Sequence, residues 1–401
     1  MRNGDLGPSA LSGVTVVDLT HHKAGPYCTK LMAGFGADVI KVERPGAGDP
    51  LRQMGPFYEG QEGLERSIPF HWLNTGKRSL TLDLKKERGR EVLLDLVRKA
   101  DVLVENFMPG VMRRLGLSYE TLRDVNPGLI MTSISNFGQD GPYRDYEADE
   151  ITAYALSGAM FLTGDPTRAP LSSGPDLAQY TGGMWAYILT LAELVQREDE
   201  GRHIDLSILE SAVDNIEIAL IEHLHDGKLP CRKNDRHPMV PWELYSCADG
   251  EVAVIGGPYR HWLRAATLFE EPRLFEEKFA TAMGRIENRA DFEPLLQPWL
   301  DRHEKEEIFH EGQKRHLAFG YLASLEEARQ IPQHEARGFF VDVDHPVVGE
   351  QGYCGAPFQL SETPWRSLRC PMLGEQSSGI LMEVLEYSEE AVGRLREERV
   401  I

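Results

Sequence analysis

An α/β fold organised on a parallel sheet, with a second and smaller α/β domain, is what this sequence predicts. Three observations carry the prediction. Between Val14 and Ile134, short β-branched apolar runs alternate with segments of helical spacing, the rhythm of strands joined by crossover helices. The runs are apolar at successive positions, as suits strands covered on both faces. After about residue 225 the composition turns to Gly, Pro, Asn and Asp, which marks a break before a separable block.

Val14–Leu19 reads as the first strand, Tyr27–Phe35 as a helix with Leu31, Met32 and Phe35 on one side, and Ala37–Glu43 as the second strand, together a βαβ unit. Gly89–Ala100 is a helix with Val92, Leu93 and Leu96 inward, followed by strands at Asp101–Glu105 and Gly128–Ile134. Ligands of such sheets sit beyond the carboxyl ends of strands, which nominates the loops Thr20–Pro26, Pro45–Arg52 and Asn106–Gly110. Gln179–Gln196 reads as a long helix in which Gly182 and Gly183 permit a close backbone approach. His203–Ile208 is a strand and Ser211–Leu224 a helix. The expected division is a large domain over 1–225, a small domain over 226–335 containing the strand Glu251–Ile255, and a return over 336–401 that completes the large domain. Ser377–Arg399 reads as an acidic amphipathic helix covering the surface.

With 401 residues, 41% hydrophobic and 26% charged, the chain has the make-up of a globular protein with a large core. No apolar run approaches the roughly 20 residues that span a bilayer, and the first residues lack the apolar stretch of a signal peptide, so a cytoplasmic protein is expected. A net charge of −20 disfavours nucleic acid and anionic membranes as partners. An anionic ligand would then need a local basic patch, for which Arg44, Lys77, Arg78, Lys85 and Arg114 are candidates. Cys28, Cys231, Cys247, Cys354 and Cys370 form no CxxC pair and read as reduced, mostly as core fillers, without a zinc framework. His21 and His22 lack partners at ligand spacing, so no metal is expected. P-loop, GxGxxG, HExxH and GxSxG motifs are missing.

More specific is an ordered set of segments: Thr20–Pro26, Gly36–Asp49, Asn74–Ser79 with Leu82–Leu84, Val104–Phe107, Arg114–Gly116 and Pro371–Glu375. Together they resemble CoA-transferase family III, the group that includes formyl-CoA transferase, carnitine CoA-transferase and α-methylacyl-CoA racemase, over roughly residues 10 to 390. The resemblance implies a Rossmann-like large domain built from both chain ends, a smaller middle domain, and an interlocked dimer with each chain threaded through the other. It implies coenzyme A and acyl-CoA as substrates, with no permanently bound cofactor. It also implies an aspartate that attacks the acyl-CoA thioester to give a mixed anhydride. Arg44, Leu82, Lys85, Asn106, Phe107 and Arg114 match CoA-contacting positions, and guanidinium and ammonium groups suit phosphates. Lys23, which stands where transferases often carry an uncharged polar residue, is a further cofactor-binding candidate.

One position departs from that pattern. The family aspartate lies four residues before a glycine at the start of a long helix, and here Gln179 occupies that place, ahead of Gly183. An amide cannot form the anhydride. Asp176 is three residues off and reads foremost as a helix N-cap; Glu150 is a weaker substitute. The racemase reading fails as well, because its His–Asp segment reads Asp149–Glu150 and its second aspartate is again Gln179. The glycine-rich lid of formyl-CoA transferase is replaced by Arg236–Trp242. The leading reading is therefore the non-nucleophilic subunit of a heteromeric CoA-transferase, with a related chain supplying the aspartate. Among two-subunit members, those acting on aromatic succinates such as (R)-benzylsuccinate, in anaerobic aromatic degradation, are the best match in kind. The alternatives are a homodimeric transferase using Asp176 or another carboxylate, and a non-catalytic CoA-binding scaffold.

Overall fold

The computed structural model describes residues 8–174, 176–197, 200–232, 239–257 and 259–401. They divide into two compact units, one formed by residues 1–163, 170–231 and 336–401, the other by 164–169 and 232–335.

The larger unit is built on a six-stranded parallel sheet of order β3-β2-β1-β4-β5-β6, with β1 Thr15–Asp18, β2 Asp38–Glu43, β3 Arg78–Thr81, β4 Val102–Glu105, β5 Ile130–Ser135 and β6 His203–Ser207. Successive strand residues point to opposite faces and feed different cores. Val16, Val39 and Val104 pack with Met32 of helix α1 (Ala24–Gly34) and with Ala178 and Ala186 of the helix Leu177–Gln196. Val17, Ile40 and Leu103 pack with Val92, Leu93 and Leu96 of helix α2 (Glu87–Val97). Strand order reverses between β1 and β4, the crevice where doubly wound sheets take ligands.

Three sequence expectations change. Strand β3 was not foreseen, because Arg78-Ser79-Leu80-Thr81 on the sheet's edge carries a single large apolar side chain. The stretch Ser211–Leu224 is two helices, Ile208–Asp214 and Glu217–Asp226. The tail is not one surface helix: a short turn at Ser377–Gly379, a π-helical Ile380–Val384 and a helix Glu389–Glu397 follow one another, with Glu386 at φ 60° between the last two. Ile380, Leu381, Val392, Leu395 and Val400 are buried in the same core as β1 and β2. The tail therefore completes the core rather than covering it.

The smaller unit has an antiparallel sheet β7-β8-β9 (Trp242–Ser246, Glu251–Ile255, Gly320–Tyr321) packed with helices around Trp262, Phe269, Phe292 and Trp299. Its buried Arg285 guanidinium donates to the carbonyls of Val240 at 2.8 Å, Phe279 at 3.1 Å and Gly257 at 3.2 Å. No helix among the described residues is long and apolar enough to cross a membrane.

Candidate active site

Buried ion pairs set the loops at the carboxyl ends of β1 and β2. Lys77 reaches Asp18 at 2.9 Å, Lys41 reaches Asp49 at 2.9 Å and Arg52 reaches Glu43 at 2.7 Å, all with fully buried side chains. Burial opposes ionisation of Asp18, but Lys41 and Lys77 outweigh it and hold its carboxyl well below the usual range. The same ammonium groups staple the first loop, Lys41 donating to the Thr20 carbonyl at 2.8 Å and Lys77 to that of Pro26 at 3.0 Å. Lys77 is thus structural and not part of a ligand patch, and Arg78 is likewise paired with Asp38.

Above these pairs lies a cavity of about 810 Å³. Its walls come from every loop at this end of the sheet's first half: His21 after β1, Arg44 to Pro50 after β2, Leu82 to Lys86 after β3 and Phe107 after β4, with Arg399 from the tail. Arg44, Leu82, Lys85 and Phe107 therefore meet at one cavity. Lys23, Asn106 and Arg114 are not among its lining residues. Asn106 instead clasps the first loop, its amide accepting from the His21 N–H at 2.8 Å and donating to the His21 carbonyl at 2.8 Å. It holds the wall rather than forming it. His21 packs edge-on against Phe107 with ring centroids 5.2 Å apart, and burial lowers its pKa to about 4, so it is a neutral wall. His21, Lys86 and Arg399 were not nominated from sequence as ligand contacts. Only the tail's folding back against β3 brings Arg399 there.

The same loop reaches a second place. Beyond His22, which takes φ 61°, Lys23 pairs with Asp176. For the helix α1 and the helix α4 (Leu177–Gln196), with α3 (Glu150–Leu156) beside the latter, the close approach predicted for the glycines is observed: a Cβ at Gly183 would lie 2.4 Å from the Ala24 carbonyl oxygen. Asp176 holds the N-cap position of α4 but makes no capping hydrogen bond. Glu150 caps instead, its two carboxylate oxygens accepting from the N–H groups of Ala178 at 3.0 Å and Gln179 at 3.1 Å. A carboxylate there meets the positive end of the helix dipole. The Gln179 side-chain amide, half-buried, makes no hydrogen bond to any described residue. Tyr180 packs with Tyr27 and Trp72, centroids 5.0 and 5.7 Å away, and burial, then Asp176, push its hydroxyl up to about 12.

Residues 11–377 match the sequence profile of CoA-transferase family III. The chain belongs to that family. Succinate–glutarate CoA-transferase of Agrobacterium fabrum is 33% identical over 381 residues, 93% of this chain and 95% of the relative. The BbsE subunit of succinyl-CoA:(R)-benzylsuccinate CoA-transferase of Thauera aromatica is 33% identical over 385 residues, 92% of each chain. A CAIB/BAIF family protein from Brucella suis has the same fold, with a TM-score of 0.84 and 32% identity over 94% of this chain and 99% of that one. Within a family III framework, the sheet-end cavity and the head of α4 are the two places to read for chemistry.

The described residues also bring His71, His345 and Cys370 together, with one potential ligand atom of each within 4.8 Å of the others. His71 Nε2 faces the Glu65 carbonyl at 3.0 Å, which leaves Nδ1 as a lone pair. His345 Nδ1 accepts from the Val347 N–H at 3.3 Å, and its Nε2, like His71 Nδ1, is buried with no hydrogen-bond partner. Three donors are one short of a closed tetrahedral site, and burial pushes the Cys370 thiol up to about 12, away from the thiolate a metal would take. Cys231 and Cys354 are exposed and Cys247 half-buried, so only Cys28 and Cys370 are core fillers. Of the segment that replaces the glycine-rich lid, residues 236–238 lie outside the described residues.

Proposed function

We propose that this chain is the non-nucleophilic subunit of a CoA-transferase that moves CoA from an acyl-CoA to a carboxylic acid, with a related chain supplying the catalytic aspartate. The observation that carries it is the head of α4. Gln179 stands at the attack position, and the neighbouring carboxylates are committed elsewhere, Asp176 to Lys23 and Glu150 to two backbone N–H groups. The relative named as a subunit of a succinyl-CoA:(R)-benzylsuccinate enzyme supports the heteromeric form, succinyl-CoA as donor and an aromatic succinate as acceptor, and succinate stands in the name of the other quoted relative as well.

In this reading CoA lies in the sheet-end cavity with phosphates toward Arg44 and Lys85 and adenine against Phe107. The partner's carboxylate oxygen bonds the acyl carbon as the C–S bond breaks, releasing CoA thiolate and leaving a mixed anhydride. The thiolate then attacks the enzyme side of the anhydride, which frees the donor acid and leaves an enzyme thioester. The acceptor carboxylate displaces the thiolate to form a second anhydride. The thiolate takes the acceptor acyl group and restores the aspartate. The Gln179 amide, which has no hydrogen-bond partner among the described residues, does not enter these steps.

The test is an assay of succinyl-CoA-dependent transfer by the chain alone and co-expressed with a homologue that carries the aspartate. The expected result is no transfer alone, transfer in the mixed complex, and a hydroxylamine-trapped adduct on the partner only. Activity of the chain alone that is lost in Asp176→Ala overturns the assignment in favour of a homodimeric enzyme. A complex that binds CoA without transferring it overturns it in favour of a scaffold.

A further inference from the structure

The helix Glu389–Glu397, here α5, ends in a Schellman motif: the Val400 N–H donates to the Leu395 carbonyl at 2.8 Å and the Arg399 N–H to that of Arg396 at 2.9 Å. Leu395 and Val400, the apolar pair that closes such a motif, are both buried. The residue between them must be left-handed, a place glycine fills at least cost, yet it is Arg399 at φ 55°. A residue that accepts backbone strain at such a point calls for a reason in its side chain.

The surroundings supply one. Lys86 Nζ donates to the carbonyls of Glu398 at 2.5 Å and Arg399 at 3.0 Å, and the Asp83 N–H donates to that of Val400 at 2.8 Å, so the tail is tied to the loop after β3. Arg399 and Lys85 line the cavity beside that loop and form no ion pair with any described residue, in a protein of net charge −20. Strand β3 is the edge of the sheet, so these cations gather at one end of the cavity. A dianionic phosphomonoester on a ligand whose pyrophosphate sits farther in, toward Arg44, matches that cluster.

We propose that Arg399, with Lys85 and Lys86, forms a subsite for the 3′-phosphomonoester of coenzyme A, and that Arg399 makes the protein select CoA over its 3′-dephospho form. This rests on the reading of the cavity as the CoA site. A purely structural role, a cation just past the end of α5 facing the helix dipole, affects stability and leaves ligand preference alone.

The experiment is calorimetric titration of the full chain, in the complex it forms, with CoA and with 3′-dephospho-CoA, alongside thermal melts. The native protein is expected to prefer CoA by about ten- to a hundredfold. Arg399→Gly and Arg399→Gln each bring the two ligands to within about threefold of each other by weakening CoA alone. Arg399→Gly also raises Tm by about 1–3 °C as the strain is relieved, whereas Arg399→Gln, strained as before, does not. An unchanged preference in Arg399→Gly, or equal binding of both ligands by the native protein, overturns the proposal. If the native protein binds neither ligand, the CoA reading of the cavity falls instead.

Discussion

The sheet-end cavity and the head of α4 differ in how their charges are spent. Around the cavity Arg44, Lys85 and Arg399 carry no ion partner among the described residues. At the head of α4 every nearby charge is engaged, Lys23 with Asp176 and Glu150 with the helix N-terminus. Idle cations in an acidic protein signal a binding surface held open for an anion. The carboxylates beside Gln179 are held by a lysine and by backbone N–H groups instead. The proposed division of labour, with binding in this chain and the nucleophile on a partner, rests on that difference.

The largest effect expected from breaking this contrast lies beneath the cavity. Lys77→Met takes from the fully buried Asp18 the one cation that touches it among the described residues and should cost about 3–5 kcal/mol, read as a lower denaturant midpoint. Arg44→Ala, which removes an exposed and unpaired cation, should move that midpoint by no more than about 0.5 kcal/mol while weakening CoA binding. Equal stability losses in the two variants would erase the distinction between structural and ligand-directed cations.

Glu105, at the end of β4, tests the remaining case, a buried carboxyl with no cation. Burial raises its pKa from 4.5 to about 7. The folded protein thus holds this proton longer than the unfolded chain, so the stability Glu105 contributes is complete below about pH 4.5 and lost as pH rises through 7. Glu105→Gln, neutral throughout, should match the native protein near pH 4.5 and exceed it by about 3 kcal/mol at pH 8. Parallel stability curves across that range would mean that Glu105 titrates normally.

The smallest effect separates the two carboxylates near Gln179. Glu150→Ala should cost about 1–2 kcal/mol through the lost cap of α4. Asp176→Ala, which breaks a half-exposed ion pair, should cost less than about 1 kcal/mol. The reverse ranking would return the capping role to Asp176.

Much of the large unit was legible because its strands are buried on both faces. Val16-Val17 and Val39-Ile40 feed opposite cores, so the apolar runs stand out without any partner being known. The edge strand Arg78–Thr81 was not legible, since its polar residues are explained only by Asp38, Glu43 and Gln376 beside it. Lys77 and Arg44 look alike as letters; their fates differ because a fold places Asp18 against one and open space against the other. Asn106 was legible as important but not as a clasp for the His21 loop.

By itself the sequence determined the fold class, the family and the absence of a nucleophilic carboxylate at position 179. These depend on periodicity, motif order and the chemistry of one side chain, all properties local to the chain. Only the tertiary structure decided which carboxylate caps α4, which cations remain unpaired and that Arg399 shares a cavity with Lys85. Those outcomes depend on segments that lie far apart in the chain, such as Arg399 against the loop after β3, and local pattern carries no record of distance in space.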